Sequence, residues 1–142
     1  MSSGIHEICT RPTLMVVDDD ADIRLALADI FEEEGFRVID LPDGECALRR
    51  LDEGELPTVM LLDLMMPRCS GWEVLAACAK SERLRHLPVL IMSALDPRSA
   101  SLPLSIVGHV TKPLDVGALV DRIRDIAAAS PGAPQVSRHQ AV

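Results

Sequence analysis

Leu14-Met15-Val16-Val17-Asp18-Asp19 and Val59-Met60-Leu61-Leu62-Asp63 are the stretches whose reading decides the fold. Each is a run of four apolar residues that ends on a carboxylate. A short run without alternation suits a strand buried on both faces, as in a parallel sheet covered by helices. In such sheets, groups at the carboxyl ends of strands meet in a crevice where the strand order reverses. Two further runs fit the scheme: Leu87-Pro88-Val89-Leu90-Ile91-Met92 leads to Ser93, and Ile106-Val107-Gly108-His109-Val110-Thr111 leads to Lys112. Three carboxylates, a hydroxyl and an ammonium brought to one sheet edge suit a hard divalent cation and a phosphoryl group.

The segments between these runs read as helices. Asp22 to Glu34 carries Ile23, Ala26, Leu27, Ile30 and Phe31 on one face, with Gly35 as its stop. Phe36 to Leu41 alternates as an edge strand does, and Asp43 can cap a helix from Gly44 to Asp52 with Ala47, Leu48 and Leu51 inward. A loop with Pro67 and Gly71 leads to a third helix, Trp72 to Ser81, whose inner face holds Val74, Leu75 and Cys78. Pro97 and Pro103 leave room only for a short fourth helix from Asp96. The last, Asp115 to Ala128, repeats Leu119, Val120, Ile123 and Ile126 at helical spacing. Five strands alternating with helices predict an α/β, flavodoxin-like, doubly wound parallel sheet in the order 2-1-3-4-5, with a shortened fourth helix. The expected organisation is a flexible N-terminus (1–11), one domain (12–129) and a flexible tail (130–142).

Composition bounds the function. The chain has 142 residues, enough for one domain with a proper core. Two Phe, one Trp and no Tyr leave that core to aliphatic residues and Met. A net charge of −8 argues against binding nucleic acid through a basic patch. Cys9, Cys46, Cys69 and Cys78 form no CxxC pair, so reduced thiols are expected. No signal-peptide pattern opens the chain, and no apolar stretch approaches the ~20 residues of a membrane span. A cytoplasmic protein without membrane insertion or direct nucleic-acid contact is the expectation.

Packed carboxylates raise one another's pKa unless a cation neutralises them. Mg2+ answers that need with carboxylates, waters and phosphate oxygens around it. Asp19 and Asp63 are the expected direct ligands, Asp18 acts directly or through water, and the Met65 backbone carbonyl can add an oxygen. If the site accepts a phosphoryl group, Asp63 at the end of the central strand is the nucleophile. Lys112 and Ser93 then hold phosphoryl oxygens; without phosphate, Lys112 pairs with Asp63.

These residues resemble the receiver domain of two-component response regulators. Leu-Met-Val-Val-Asp-Asp-Asp followed by Arg24 is similar to that family's first strand and acidic pair. Leu-Leu-Asp-Leu-Met-Met-Pro with Gly71 is similar to its phosphorylation strand and loop, and Ser93-Ala94 and Thr111-Lys112-Pro113 to its hydroxyl switch and lysine. The likeness runs from about Thr13 to Ala128. It implies phosphoryl transfer to Asp63 from a phosphohistidine on a histidine kinase or phosphotransfer protein, Mg2+ on Asp18 and Asp19, phosphoryl contacts from Ser93 and Lys112, and a cis Lys112–Pro113 bond.

Three departures stand out. The aromatic switch position three residues before the lysine holds His109, which can rotate and can also charge near neutral pH. The Ser93–Lys112 interval is about one helical turn short. Met65 and Leu95, two positions beyond Asp63 and Ser93, are apolar and cannot activate water, which implies slow loss of the phosphoryl group. Arg24 reads as a surface ion pair. The leading reading is a stand-alone phosphoacceptor, monomeric or weakly dimeric, that signals by contact with a downstream protein and is not an enzyme beyond its own phosphorylation. Alternatives are a phosphorylation-independent binding module and a Mg2+-dependent phosphohydrolase; Met65 sits where such a hydrolase usually carries its second Asp.

Overall fold

Every residue of β3 (Val59–Asp63) and β4 (Val89–Ser93) is buried, as unbroken apolar runs require. The computed structural model describes residues 11–94 and 106–129. Within them β1 (Thr13–Val17), α1 (Ala21–Glu33), β2 (Arg37–Leu41), α2 (Gly44–Glu53), β3, α3 (Gly71–Lys80), β4, β5 (Ile106–Thr111) and α4 (Val116–Ala129) follow one another. The strands form one sheet in the order β2-β1-β3-β4-β5, all pairs parallel. The flavodoxin-like expectation is met, and β1 and β3 lie side by side where the winding reverses. Residues 1–10, Leu95, the short helix expected from Asp96 and the tail 130–142 lie outside the described residues.

Strand alternation divides the core into two layers. Met15, Val17, Met60, Leu62, Val89 and Ile91 pack on Ala47 and Leu51 of α2 and on Val74, Leu75 and Cys78 of α3. Leu14, Val16, Val59, Leu61, Leu90 and Met92 pack on Leu27 and Phe31 of α1 and on Leu119, Val120 and Ile123 of α4. Ala26 is exposed, but Ile23 and Ile30 are half-buried and pack against the same layer as the buried i, i+4 pair Leu27 and Phe31, so α1 presents the rest of its expected face. In α4, Ala127 is buried and Ile126 half-buried. Cys78 sits in the first layer, where burial pushes its thiol up to about 11; Cys46 and Cys69 are also free thiols.

The helices start on side-chain caps. Asp20 accepts from the backbone N–H groups of Asp22 and Ile23, and Asp43 from Cys46 at 2.8 Å. Ser70 and Glu73 form a reciprocal capping box at α3. Asp115 accepts from the Ala118 N–H at 3.1 Å.

The start of α3 lies directly against the end of β3. The Gly71 N–H donates to the Leu64 carbonyl at 3.1 Å. A Cβ on Gly71 would overlap the Asp63 carbonyl oxygen and lie 2.7 Å from Leu64 Cα, both backbone atoms that cannot swing aside. We expect Gly71→Ala to lose about 1–3 kcal/mol of stability, read as a lower urea midpoint at unchanged m-value. Gly117→Ala is the contrast: its Cβ meets only Asp115 Oδ1 at 3.7 Å, and helix propensity favours it by about 0.5–1 kcal/mol.

Candidate functional site

The carboxyl ends of β1, β3 and β5 deliver Asp18, Asp63 and Lys112 to one point. Asp18 is fully buried, Asp63 is 3% exposed and Asp19 faces solvent. One carboxylate oxygen from each of the three acids lies within 4.8 Å of the others. That spacing, with two acids buried and one open to water, suits a small oxygen-seeking dication.

Lys112 Nζ bridges the buried pair, 2.9 Å from Asp18 Oδ2 and 3.3 Å from Asp63 Oδ2. Pairing with Asp63 was the expectation; the shorter contact is to Asp18. The second oxygens are also engaged: Asp18 Oδ1 accepts from the Asp20 N–H at 2.8 Å and Asp63 Oδ1 from the Met65 N–H at 3.1 Å. Each acid is thus aimed by its own following loop. The Lys112 N–H continues the β4–β5 ladder to the Ser93 carbonyl at 2.9 Å, and the Lys112–Pro113 bond is cis.

Burial, then the charge of Asp18, raises the Asp63 pKa against the lowering effect of the Met65 N–H and Lys112. Burial alone would lower that of Lys112. The hydrogen bonds and charges of Asp18 and Asp63 outweigh it, and the ammonium is held above its ordinary range.

The other expected residues lie around this cluster. Ser93 is buried at the end of β4, opposite Thr111. His109 is half-buried and pairs with Ile91, whose side chain belongs to the α2–α3 layer. Met65 is 59% exposed in the loop beside Asp63. Arg24 makes the expected ion pair, to Asp40 at 3.3 Å. It also donates from Nη1 to the Asp18 carbonyl at 2.8 Å, a contact the sequence reading missed. Asp20 was missed too, as the cap that turns the chain from β1 into α1; an acid directly before an apolar helical period was the available signal.

The sequence pattern of the response regulator receiver domain matches residues 14–124. The chain is 40% identical over 116 residues to response regulator RR06 of Streptococcus pneumoniae, covering 78% of this chain and 51% of that protein. It is 36% identical over 121 residues to the transcriptional regulatory protein CpxR of Escherichia coli, covering 82% and 50%. The chain therefore spans about half the length of these curated relatives. An uncharacterized 14.6 kDa protein of Leptolyngbya boryana is 31% identical over 121 residues, with 92% of its length covered. Among solved structures, response regulator TrrA of Thermotoga maritima, in complex with Mg2+-BeF, superposes with a TM-score of 0.72 at 26% identity, covering 81% of this chain and 98% of that one. The receiver domain of the Francisella response regulator 1452 does so with 0.70 at 30%, covering 82% and 96%. Sequence pattern, relatives, sheet order and acidic crevice agree: this chain belongs to the response regulator receiver domain family.

Proposed function

We propose that Asp63 accepts a phosphoryl group from a phosphohistidine on a histidine kinase or phosphotransfer protein, and that the phosphorylated domain signals by protein–protein contact in the cytoplasm. The observation that carries this reading is the Lys112 ammonium held between the buried carboxylates of Asp18 and Asp63. An Asp63 oxygen attacks phosphorus, the N–P bond breaks, and the partner's imidazole leaves with the electron pair. Lys112 pairs with a phosphoryl oxygen and Ser93 donates a hydrogen bond to another. Asp18, Asp19, Asp63 and the Met65 backbone carbonyl would hold Mg2+, which when bound would supply charge neutralisation at the phosphoryl oxygens. His109 is read as the switch residue that follows the hydroxyl of Ser93. The domain is read as a monomer or weak homodimer. The Leptolyngbya boryana relative, covered over 92% of its length, supports a receiver that works without an attached output domain. An immunoblot sizing the native polypeptide tests that. No described helix is long and apolar enough to cross a membrane.

Acetyl phosphate with Mg2+ is expected to add one phosphoryl group to the wild type and none to Asp63→Ala, read by intact mass. Lys112→Ala is expected to slow the reaction about 10²-fold, the usual cost of losing one preorganised donor to the transition state. Turnover of phosphate esters without a stable adduct would favour the hydrolase reading. Because Met65 presents an exposed thioether chain and no acid or base, the aspartyl-phosphate is expected to last minutes or longer after the donor is removed; decay within seconds would contradict this.

The raised pKa of Asp63 fixes a stability signature. Its folded value lies above the ordinary 3.8, so the native state binds the proton more tightly than the unfolded chain does. Stability contributed by this group is present below 3.8 and lost as pH rises through the folded value. At neutral pH in EDTA, where Asp18 still pairs with Lys112, Asp63→Asn is therefore expected to be more stable than wild type, read as a higher Tm. The gap should close on acidification. Mg2+ at tenfold excess over its Kd is expected to stabilise the wild type by about 1.4 kcal/mol and Asp63→Asn by less. An unchanged wild-type Tm on adding Mg2+ would count against the metal site.

A further inference from the structure

β5 contains one residue more than its neighbour can pair. Val89 pairs with Ile106, but Leu90 pairs with Gly108, Ile91 with His109, Met92 with Val110 and Ser93 with Thr111, so Val107 is a bulge. An extra residue reverses the face presented by everything after it. Ile106 packs into the α2–α3 layer and Val110 into the α1–α4 layer. On a regular strand, residues four apart share a face; the bulge is what separates these two.

The same count decides where Lys112 points. Lys112 lies two positions after Val110, Asp18 two after Val16 and Asp63 two after Leu61, and Val110, Val16 and Leu61 all belong to the α1–α4 layer. The three groups therefore share one parity, and the ammonium reaches both carboxylates. Counted from Ile106 without the bulge, Lys112 would project from the opposite face.

Two groups hold the bulge at Val107. Arg122 of α4 donates from Nη2 to the Val107 carbonyl at 2.9 Å. Gly108 has φ 156°, and a Cβ there would run into the Arg122 guanidinium. Loss of the bulge would restore regular alternation and reverse the face of every residue after it, Lys112 included, so a clamp that stabilises the bulge protects the phase of all that follows.

We propose that Arg122 is a positioning residue for Lys112. Acting through the bulge roughly 16 Å up the strand, it keeps the ammonium aimed at Asp18 and Asp63. Its effect on rate rests on the phosphoacceptor reading of Asp63; its effect on where Lys112 points does not.

Two readouts separate these. Lys112 and Lys80 are the only lysines, and Lys80 is exposed. Limited acetic-anhydride labelling of the full chain, read by peptide mass, therefore gives a Lys112/Lys80 ratio with its own internal control. Arg122→Ala is expected to raise that ratio several-fold, Arg122→Lys to restore most of the protection, and the urea midpoint to stay near wild type, since Arg122 is exposed. Phosphorylation by acetyl phosphate and Mg2+ is expected to slow about tenfold in Arg122→Ala, less than the ~10²-fold that a 1 Å misplacement can cost. In a Lys112→Ala background, Arg122→Ala should slow it no further. An unchanged labelling ratio, or the same fold-loss in both backgrounds, overturns the proposal. A wild type that never gains a phosphoryl group overturns the phosphoacceptor reading instead, and the labelling ratio still decides the positioning claim.

Discussion

Two carboxylates forced into one dry crevice repel each other, and the end of this sheet is organised around containing that repulsion. Lys112 Nζ lies 2.9 Å from Asp18 and 3.3 Å from Asp63, so a single ammonium is shared between two buried charges. It is not enough for Asp63, whose pKa stays raised. The residual demand for positive charge is one that a dication would answer, and that neutralisation is what would let an anionic phosphoryl group approach. Stability and reactivity draw here on the same few atoms, and they pull in opposite directions.

The rest of the fold holds those atoms in register. Parallel pairing of β1 with β3 lines up Val17 with Leu62, so Asp18 and Asp63 emerge side by side. The loops then fix their orientation: the Asp20 and Met65 N–H groups each hold one carboxylate oxygen. Asp20 does double service, since its own side chain caps α1. Gly71 lets α3 close against the backbone of Asp63 itself. Arg24 ties the Asp18 carbonyl to Asp40 on β2, so even the outer strand is connected to the cluster.

Much of this was legible in the residues. Unbroken apolar runs ending in Asp63 and Ser93 identified buried parallel strands, and the polar residues that follow them identified the crevice. Asp43 was readable as a cap because an Asx residue preceded a helical period. The Ser70–Glu73 capping box was present as a pattern and passed unread. Ala26 was misplaced because hydropathy does not distinguish a residue facing the sheet from one at the stripe's margin. The bulge at Val107 was legible only in part: Gly108 inside a strand pattern is a general sign of a bulge, but nothing local marks Val107 as the residue skipped. That choice is made by β4 and by a guanidinium fourteen to fifteen positions along the chain. Tertiary contact, not propensity, decides such phases.

The two borders of the sheet have a consequence of their own. At one, β2 is only five residues long and carries Arg37 and the paired Asp40. At the other, the bulge interrupts β5, and the Val107 carbonyl is already occupied by Arg122. Short, charged or kinked margins discourage another chain from lengthening the sheet by backbone pairing. Among the described residues, the helices and the loops above the crevice are then the surfaces where side chains rather than main-chain amides would select a visitor.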